Sequence, residues 1–387
     1  MAITNKVGPP VTGDDFYGRT EELSRAIKYL DTNHSLVLSA PRRIGKTSFA
    51  KRLLEEKQSK GWNCVYIDLE GVRTQDEFLQ ILINKFEISG IWTEAIGVAG
   101  GIVNRIFEGV KGIGPVKFDF SHPEKSENLY TTLSEVIDHT KDTLIVIDEL
   151  TLFLSTMDRN PGILQEAGFF LNWFRSLRQV SGSKIRWIFC GSIGLHNFTR
   201  IRNLSMTIND LVTFDFDALS EQEARGLVKA LADSEDIAVS DKTIEAFLEK
   251  LEWHIPYFIQ LIFTNIKNNL GVNKTITSEM IDASIEGLAH TEELSTWSER
   301  LSEYNEHEEG ARLILKRLSQ SGEGLSKSQL QAIIAQYSGD NPIKTDEKLS
   351  SILNLLEHDG YIIRNKNGVR RFRSPLLRKW WYYKFVE

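Results

Sequence analysis

Apolar residues follow two rhythms along the chain. Over the first 215 positions, short runs that are apolar at almost every residue alternate with longer stretches whose apolar residues recur every three or four places. The runs at 35–39, 63–69, 143–148, 184–190 and 211–215 read as strands; the stretches at 20–30, 46–57, 74–86, 126–139 and 164–180 read as helices. Strands without polar alternation suit a parallel sheet covered on both faces, and strand–helix alternation is the signature of βαβ units. The pattern therefore predicts one doubly wound α/β domain over 1–215.

From Leu219 the strand-like runs stop. Helical periodicity continues at 220–232, 241–251, 256–269 and 277–288, which predicts a small helical domain. The charged stretch 299–309 reads as a hinge. Beyond it, two or three short helices lead to Gly360-Tyr-Ile-Ile-Arg364, the turn Asn365-Lys-Asn-Gly368 and Val369-Arg-Arg-Phe-Arg373. Two short strands about an Asn-Gly turn make a hairpin, and helices followed by a hairpin predict a winged helix. The expected domains are 1–218, 219–298 and 299–387. The glycine-rich stretch 88–115 resists assignment. Its glycines weaken helix formation, which favours an irregular insert or a loosely packed helix over a membrane or partner contact.

Composition narrows the picture in three ways. The chain has 387 residues, 41% of them hydrophobic and 26% charged, as expected of a globular protein rather than a disordered or fibrous one. Its net charge of −7 excludes a chain-wide polycation that coats nucleic acid, but not a local basic patch. Cys64 and Cys190 lie far apart in apolar runs, without metal-ligand spacing, and read as buried reduced thiols. The first 15 residues lack the charged-then-apolar order of a secretory signal, and no apolar stretch reaches the ~20 residues of a membrane span. A cytoplasmic protein is expected.

The strongest chemical signal is Ala40-Pro-Arg-Arg-Ile-Gly-Lys-Thr47, between a strand and a helix. It departs from the phosphate-binding P-loop pattern only at Ala40, where that pattern has glycine. A loop that wraps a triphosphate points successive backbone N–H groups inward, and Gly45 lets the chain turn without a side-chain clash. The helix that follows aims the positive end of its dipole at the phosphates. Lys46 would neutralise the β- and γ-phosphates, and the Thr47 hydroxyl would ligate Mg²⁺. Pro41, Arg42, Arg43, Ile44 and Ser48 complete the candidate loop, with Ser48 placed for the α-phosphate.

A second signal is Leu144-Ile-Val-Ile-Asp-Glu149, an apolar strand that ends in an acidic pair. Asp148 would hold the Mg²⁺ shell, and Glu149 would orient or deprotonate the attacking water. Both motifs lie where such a sheet opens its ligand crevice, at the carboxyl ends of the strands. Ser192, just past the 184–190 strand, is a candidate γ-phosphate sensor, with a simple turn serine as the alternative. Arg200 and Arg202 read as surface cations, with an arginine finger acting in trans in an oligomer as the alternative.

Three blocks together resemble a known group. Phe16-Tyr-Gly-Arg-Thr-Glu-Glu-Leu23 resembles its opening F-x-G-R-x-x-E-L motif, and the 39–48 segment its G-P-R-R-x-G-K-T-S loop. Trp253-His-Ile-Pro-Tyr-Phe-Ile-Gln260 resembles its G-x-P-x-x-L-Q segment. The group is the archaeal-type ATPases of the STAND branch (signal-transduction ATPases with numerous domains) of the AAA+-like P-loop proteins. The resemblance spans roughly residues 14–385. It implies a parallel sheet of order 5-1-4-3-2, a helical lid and a C-terminal winged helix. It also implies that Phe16, Tyr17 and Arg19 lie near the adenine, and that Pro256 faces the nucleotide from the lid. Ala40 departs from the family glycine, and His254-Ile255 stand where a glycine is common.

Arg364, Lys366, Arg370, Arg371, Arg373, Arg378 and Lys379 form a basic run without an acidic residue. It reads as a patch for DNA phosphates, as one that docks on an acidic partner or on the protein's own acidic body, or as a solvated hairpin without a binding role. The expected function is an ATPase of slow turnover, with ATP or ADP and Mg²⁺ as cofactors. Its nucleotide state would control the C-terminal domain and a protein partner. A DNA-binding initiator-like or loader-like ATPase is the alternative.

Overall fold

The computed structural model describes residues 3–91, 141–157, 166–180, 182–191, 194–271 and 274–387. The helix expected at 126–139, Ser192 and most of the glycine-rich stretch lie outside the described residues. The chain forms two compact units. The first gathers residues 20–39 and 46–216, and the second gathers 1–19, 40–45 and 217–387.

The first unit is built on a five-stranded, all-parallel sheet: β1 (Leu36–Ser39), β2 (Asn63–Asp68), β3 (Thr143–Asp148), β4 (Ile185–Phe189) and β5 (Val212–Asp215). The strand order is β2-β3-β4-β1-β5, which is 5-1-4-3-2 read from the other edge. Its described helices are α1 (Thr20–Asp31), α2 (Lys46–Ser59), α3 (Gln75–Ile88), α4 (Leu150–Met157), α5 (Glu166–Arg178) and α6 (Leu195–Ile201). All six residues of β3 are buried, as a central strand with both faces covered requires. An aromatic layer fills the core: Phe170 meets Phe78 and Phe153 edge-on at 5.1 and 5.3 Å, and Phe174 meets Trp187 at 5.2 Å. A separate stack joins Phe49 of α2 to Phe214 and Phe216 at 5.7 and 4.9 Å. These contacts fix α2, and with it Lys46 and Thr47, on the sheet.

The second unit is mainly helical. It contains α7 (Glu221–Ser234), α8 (Asp241–Leu251), α9 (Pro256–Asn268), α10 (Ser278–Ala289), α11 (Ser295–Glu299), α12 (Glu308–Ser319), α13 (Lys327–Ser338), α14 (Pro342–His358) and α15 (Pro375–Phe385). Helix starts carry the expected chemistry. Ser220 and Ser326 close capping boxes with Glu223 and Gln329, and Pro256 occupies the first turn of α9. The strands β6 (Ile362–Arg364) and β7 (Arg370–Phe372) pair antiparallel after α14. The connecting loop is longer than a two-residue Asn-Gly turn, because pairing begins at Arg364 and Arg370. Inside it, Asn365 Oδ1 accepts from the N–H groups of Asn367 and Val369. Helix α15 is held against the end of α10, where Trp380 Nε1–H donates to Thr291 O at 2.8 Å and Tyr383 Oη–H donates to Glu286 Oε1 at 2.6 Å.

Candidate functional site

In the first unit the side chains converge on Asp148, the last residue of β3. The Thr47 hydroxyl, from the first turn of α2, donates to Asp148 Oδ2 at 2.7 Å. Tyr66 Oη–H donates to the same oxygen at 3.0 Å, and the Glu149 N–H donates to Oδ1 at 3.0 Å. Strand register accounts for Tyr66. Asp68 pairs with Asp148 and Tyr66 with Val146, so these four residues share one face of the sheet, the face on which α2 packs.

Asp148 is 5% exposed. Burial pushes its carboxyl above the ordinary carboxylate range, and the Thr47 and Tyr66 donors oppose that push by favouring the ionised form. Burial, and then the neighbouring Asp148, raise the Tyr66 phenol far above its usual value, so it remains an O–H donor. Glu149 sits at φ +53°, in the left-handed region that non-glycine residues avoid. Strain of this kind gathers at functional sites, where the surrounding structure over-determines it. Cys190 is buried, and burial pushes its thiol well up, as expected of an inert structural cysteine. Its N–H donates to Ile147 O at 2.9 Å, which extends the pairing of β4 with β3 toward Asp148.

The division between the units falls inside the candidate loop: residues 40–45 belong to the second unit and Lys46 opens α2 in the first. Within the second unit the loop crest is held at every position that carries a side chain. Ala40 and Ile44 are buried. Arg42 Nη1–H donates to Thr296 O at 2.9 Å, and the Arg43 guanidinium lies 4.5 Å from the centre of the Tyr257 ring. Burial, reinforced by the nearby cations Arg300 and Arg43, lowers the Arg42 guanidinium from its ordinary value. Gly45 has φ +99°, a conformation that calls for glycine. Pro41 packs where Gly360 has no side chain: a Cβ on Gly360 would lie 2.5 Å from Trp253 and 2.8 Å from Pro41.

Arg19 is a strut in the same unit. It is 2% exposed, and its Nη2 donates to Ile44 O at 3.0 Å and to Asp217 O at 2.9 Å. Its N–H donates to Glu223 Oε1, the carboxylate that also caps α7 at Ser220. The Tyr17 hydroxyl fills the space over Gly226, where a Cβ would lie 2.0 Å from it. Phe16 is half-buried, and Pro256 places Tyr257 beneath Arg43.

The basic run is largely neutralised within its own unit. Arg370 pairs with Glu357 at 3.0 Å, Arg371 with Glu252 at 2.7 Å, Arg373 with Asp217 and Lys379 with Glu286. Arg378 donates to Ser319 O at 3.3 Å, and Arg364 and Lys366 are exposed. Arg200 donates to Asn197 Oδ1 at 2.8 Å, and Arg202 lies 3.9 Å from the Phe198 ring centre. Neither Tyr66 nor Glu223 belongs to a chemical motif visible in the sequence. The i, i+2 relation of Tyr66 to the acidic end of β2 was the available signal for the first, and the Ser220–Glu223 spacing for the second.

Residues 29–198 match the family model described as the AAA domain. No curated protein matches the sequence. Among solved structures, the chain is similar to the Walker-type ATPase Paby2304 of Pyrococcus abyssi, at TM-score 0.64 and 15% identity, over 97% of this chain and 99% of that one. It is also similar to the ORC2 protein of Aeropyrum pernix in its ADPNP–ADP complexes, at TM-score 0.53 and 11% identity, over 97% of this chain and 98% of that one. At these identities the likeness establishes the fold alone, a P-loop NTPase fold with a parallel five-stranded sheet. Among the described residues, no helix is long and apolar enough to cross a membrane.

Proposed function

We propose that this AAA domain binds ATP with Mg²⁺ and hydrolyses it slowly, as a STAND-type switch whose nucleotide state governs the C-terminal helices and a protein effector. The observation that carries the reading is the Thr47–Asp148 hydrogen bond, between the end of a P-loop and the end of β3. Two hard oxygen donors meet there on a buried carboxylate. That donor set suits Mg²⁺, which takes one or two protein oxygens and fills its remaining positions with phosphate oxygens and water. When bound, the ion neutralises charge on the β- and γ-phosphates.

The chain's own residues supply the rest. Lys46 neutralises phosphate charge at the start of α2, where the helix dipole adds to its effect. Glu149 accepts the proton of the water that attacks the γ-phosphorus, as the bond to the β-phosphate oxygen breaks and ADP leaves. The local engagement of Arg200 and Arg202 supports slow turnover. Residues 40–45 run directly into Lys46 and are built into the unit that carries the C-terminal helices, which supports a switch. In this reading 219–298 act as the lid and 299–387 as a winged helix, with the order α12, α13, α14, β6, β7.

The alternative is a DNA-binding ATPase that uses the hairpin. Arg364 and Lys366 are its exposed cations, whereas the pairing of Arg370, Arg371, Arg373 and Lys379 favours docking on the protein's own acidic residues. A gel shift on duplex DNA at two salt concentrations decides between them, because phosphate contacts make affinity fall steeply with salt. The ATP reading itself is tested by equilibrium binding of a fluorescent ATP analogue and by phosphate release. Mg²⁺-dependent binding with turnover supports it, and no binding at millimolar nucleotide overturns it.

A further inference from the structure

We infer that Tyr66 is a positioning residue for Asp148, and through it for the divalent cation of the proposed ATP site; the inference rests on that reading. Asp148 Oδ2 accepts two hydroxyl protons, from Thr47 on α2 at 2.7 Å and from Tyr66 on β2 at 3.0 Å. Oδ1 accepts the Glu149 N–H at 3.0 Å. Donors on both oxygens, from α2, from β2 and from the residue that follows β3, set the rotation of the carboxylate about its Cβ–Cγ bond.

The two hydroxyl donors are not equivalent. A hydroxyl has one proton and two lone pairs, so Thr47 can give its proton to Asp148 and turn a lone pair to a cation. It is carried by the first turn of α2, next to the phosphate loop. Tyr66 is carried by the sheet. It lies two residues from Asp68, which pairs in register with Asp148, and its ring is covered by Lys51 Nζ at 4.8 Å. It therefore holds the carboxylate when Thr47 is drawn to a ligand. Groups that orient metal-binding carboxylates typically change metal affinity 10- to 100-fold when removed, although they touch no metal.

The test is a Mg²⁺ titration of the full chain with a fluorescent ADP analogue, comparing wild type with Tyr66→Phe, which keeps the ring and removes one oxygen. The expected result is unchanged nucleotide affinity in EDTA and a half-saturating Mg²⁺ concentration raised about tenfold. The same substitution in an Asp148→Asn background is expected to add no further change, because its effect passes through the carboxylate. A titration of Tyr66→Phe that superimposes on wild type overturns the inference, as does an equal loss in both backgrounds. Absence of nucleotide binding by the wild-type chain is a different result: it overturns the ATP reading, and the role of Tyr66 falls with it.

Discussion

Thr47 and Asp148 stand 101 positions apart in sequence, and the hydroxyl of one donates to the carboxylate of the other across 2.7 Å. Thr47 lies in the first turn of a helix fixed by the Phe49–Phe214–Phe216 stack, and Asp148 closes a strand buried along its whole length. Neither can shift without disturbing a packed layer, so this pair is a rigid reference for the chemistry proposed around it.

Lys46→Ala is expected to abolish nucleotide binding, since Lys46 supplies the formal charge at the mouth of α2. Circular dichroism and thermal unfolding should match wild type, because Lys46 is not part of the buried core. Isothermal titration with ATP and Mg²⁺ checks it.

Glu149→Gln is expected to retain binding and to lower turnover by about 10² or more, the usual contribution of a general base. Glu149→Gly makes a complementary case. It removes a side chain held at φ +53° and should stabilise the protein by about 1 kcal/mol while also losing turnover. Unchanged turnover in either variant, measured by phosphate release, removes Glu149 from its role.

Gly360→Ala should destabilise the second unit by about 2–3 kcal/mol, as φ +82° and overlap with both Trp253 and Pro41 act together. The check is urea unfolding. A midpoint equal to wild type would show that the contact under the loop crest is not as close as described.

Glu223 gives a pH signature. Burial raises its carboxyl, but the N–H groups of Arg19 and Ser220 and the Ser220 hydroxyl outweigh it, so the folded value lies below the ordinary one. A group of this kind stabilises the fold above its unfolded value, and that contribution is lost as pH falls through the folded value. Stability of the wild type should therefore fall on acidification below about pH 4.5, the ordinary glutamate range, and more steeply than in Glu223→Gln. Thermal melts from pH 6 to pH 3 measure the difference.

The legible part of this protein was the part written in local pattern. Strands apolar at almost every position declared a parallel sheet, and the places of Lys46-Thr47 at the start of a helix and of Asp148-Glu149 at the end of a strand were legible in residue type and spacing. Tyr66 did not, because its partner is set by the β2–β3 register, which spacing along the chain does not encode. The basic run was visible, but its partners Glu252, Asp217 and Glu286 lie in other segments, and only the fold brings them to Arg371, Arg373 and Lys379. Arg19 read as an adenine-side residue through resemblance; what the structure shows is its guanidinium bracing the carbonyls of Ile44 and Asp217, which no motif in the sequence announces.

The most direct test of the whole account is a crystal structure of the full chain grown with a non-hydrolysable ATP analogue and Mg²⁺. The triphosphate should lie over Gly45, Lys46 and Thr47, with the ion between it and the Thr47–Asp148 pair. A nucleotide bound elsewhere, or an Asp148 carboxylate turned away from both Thr47 and the ion, would contradict it.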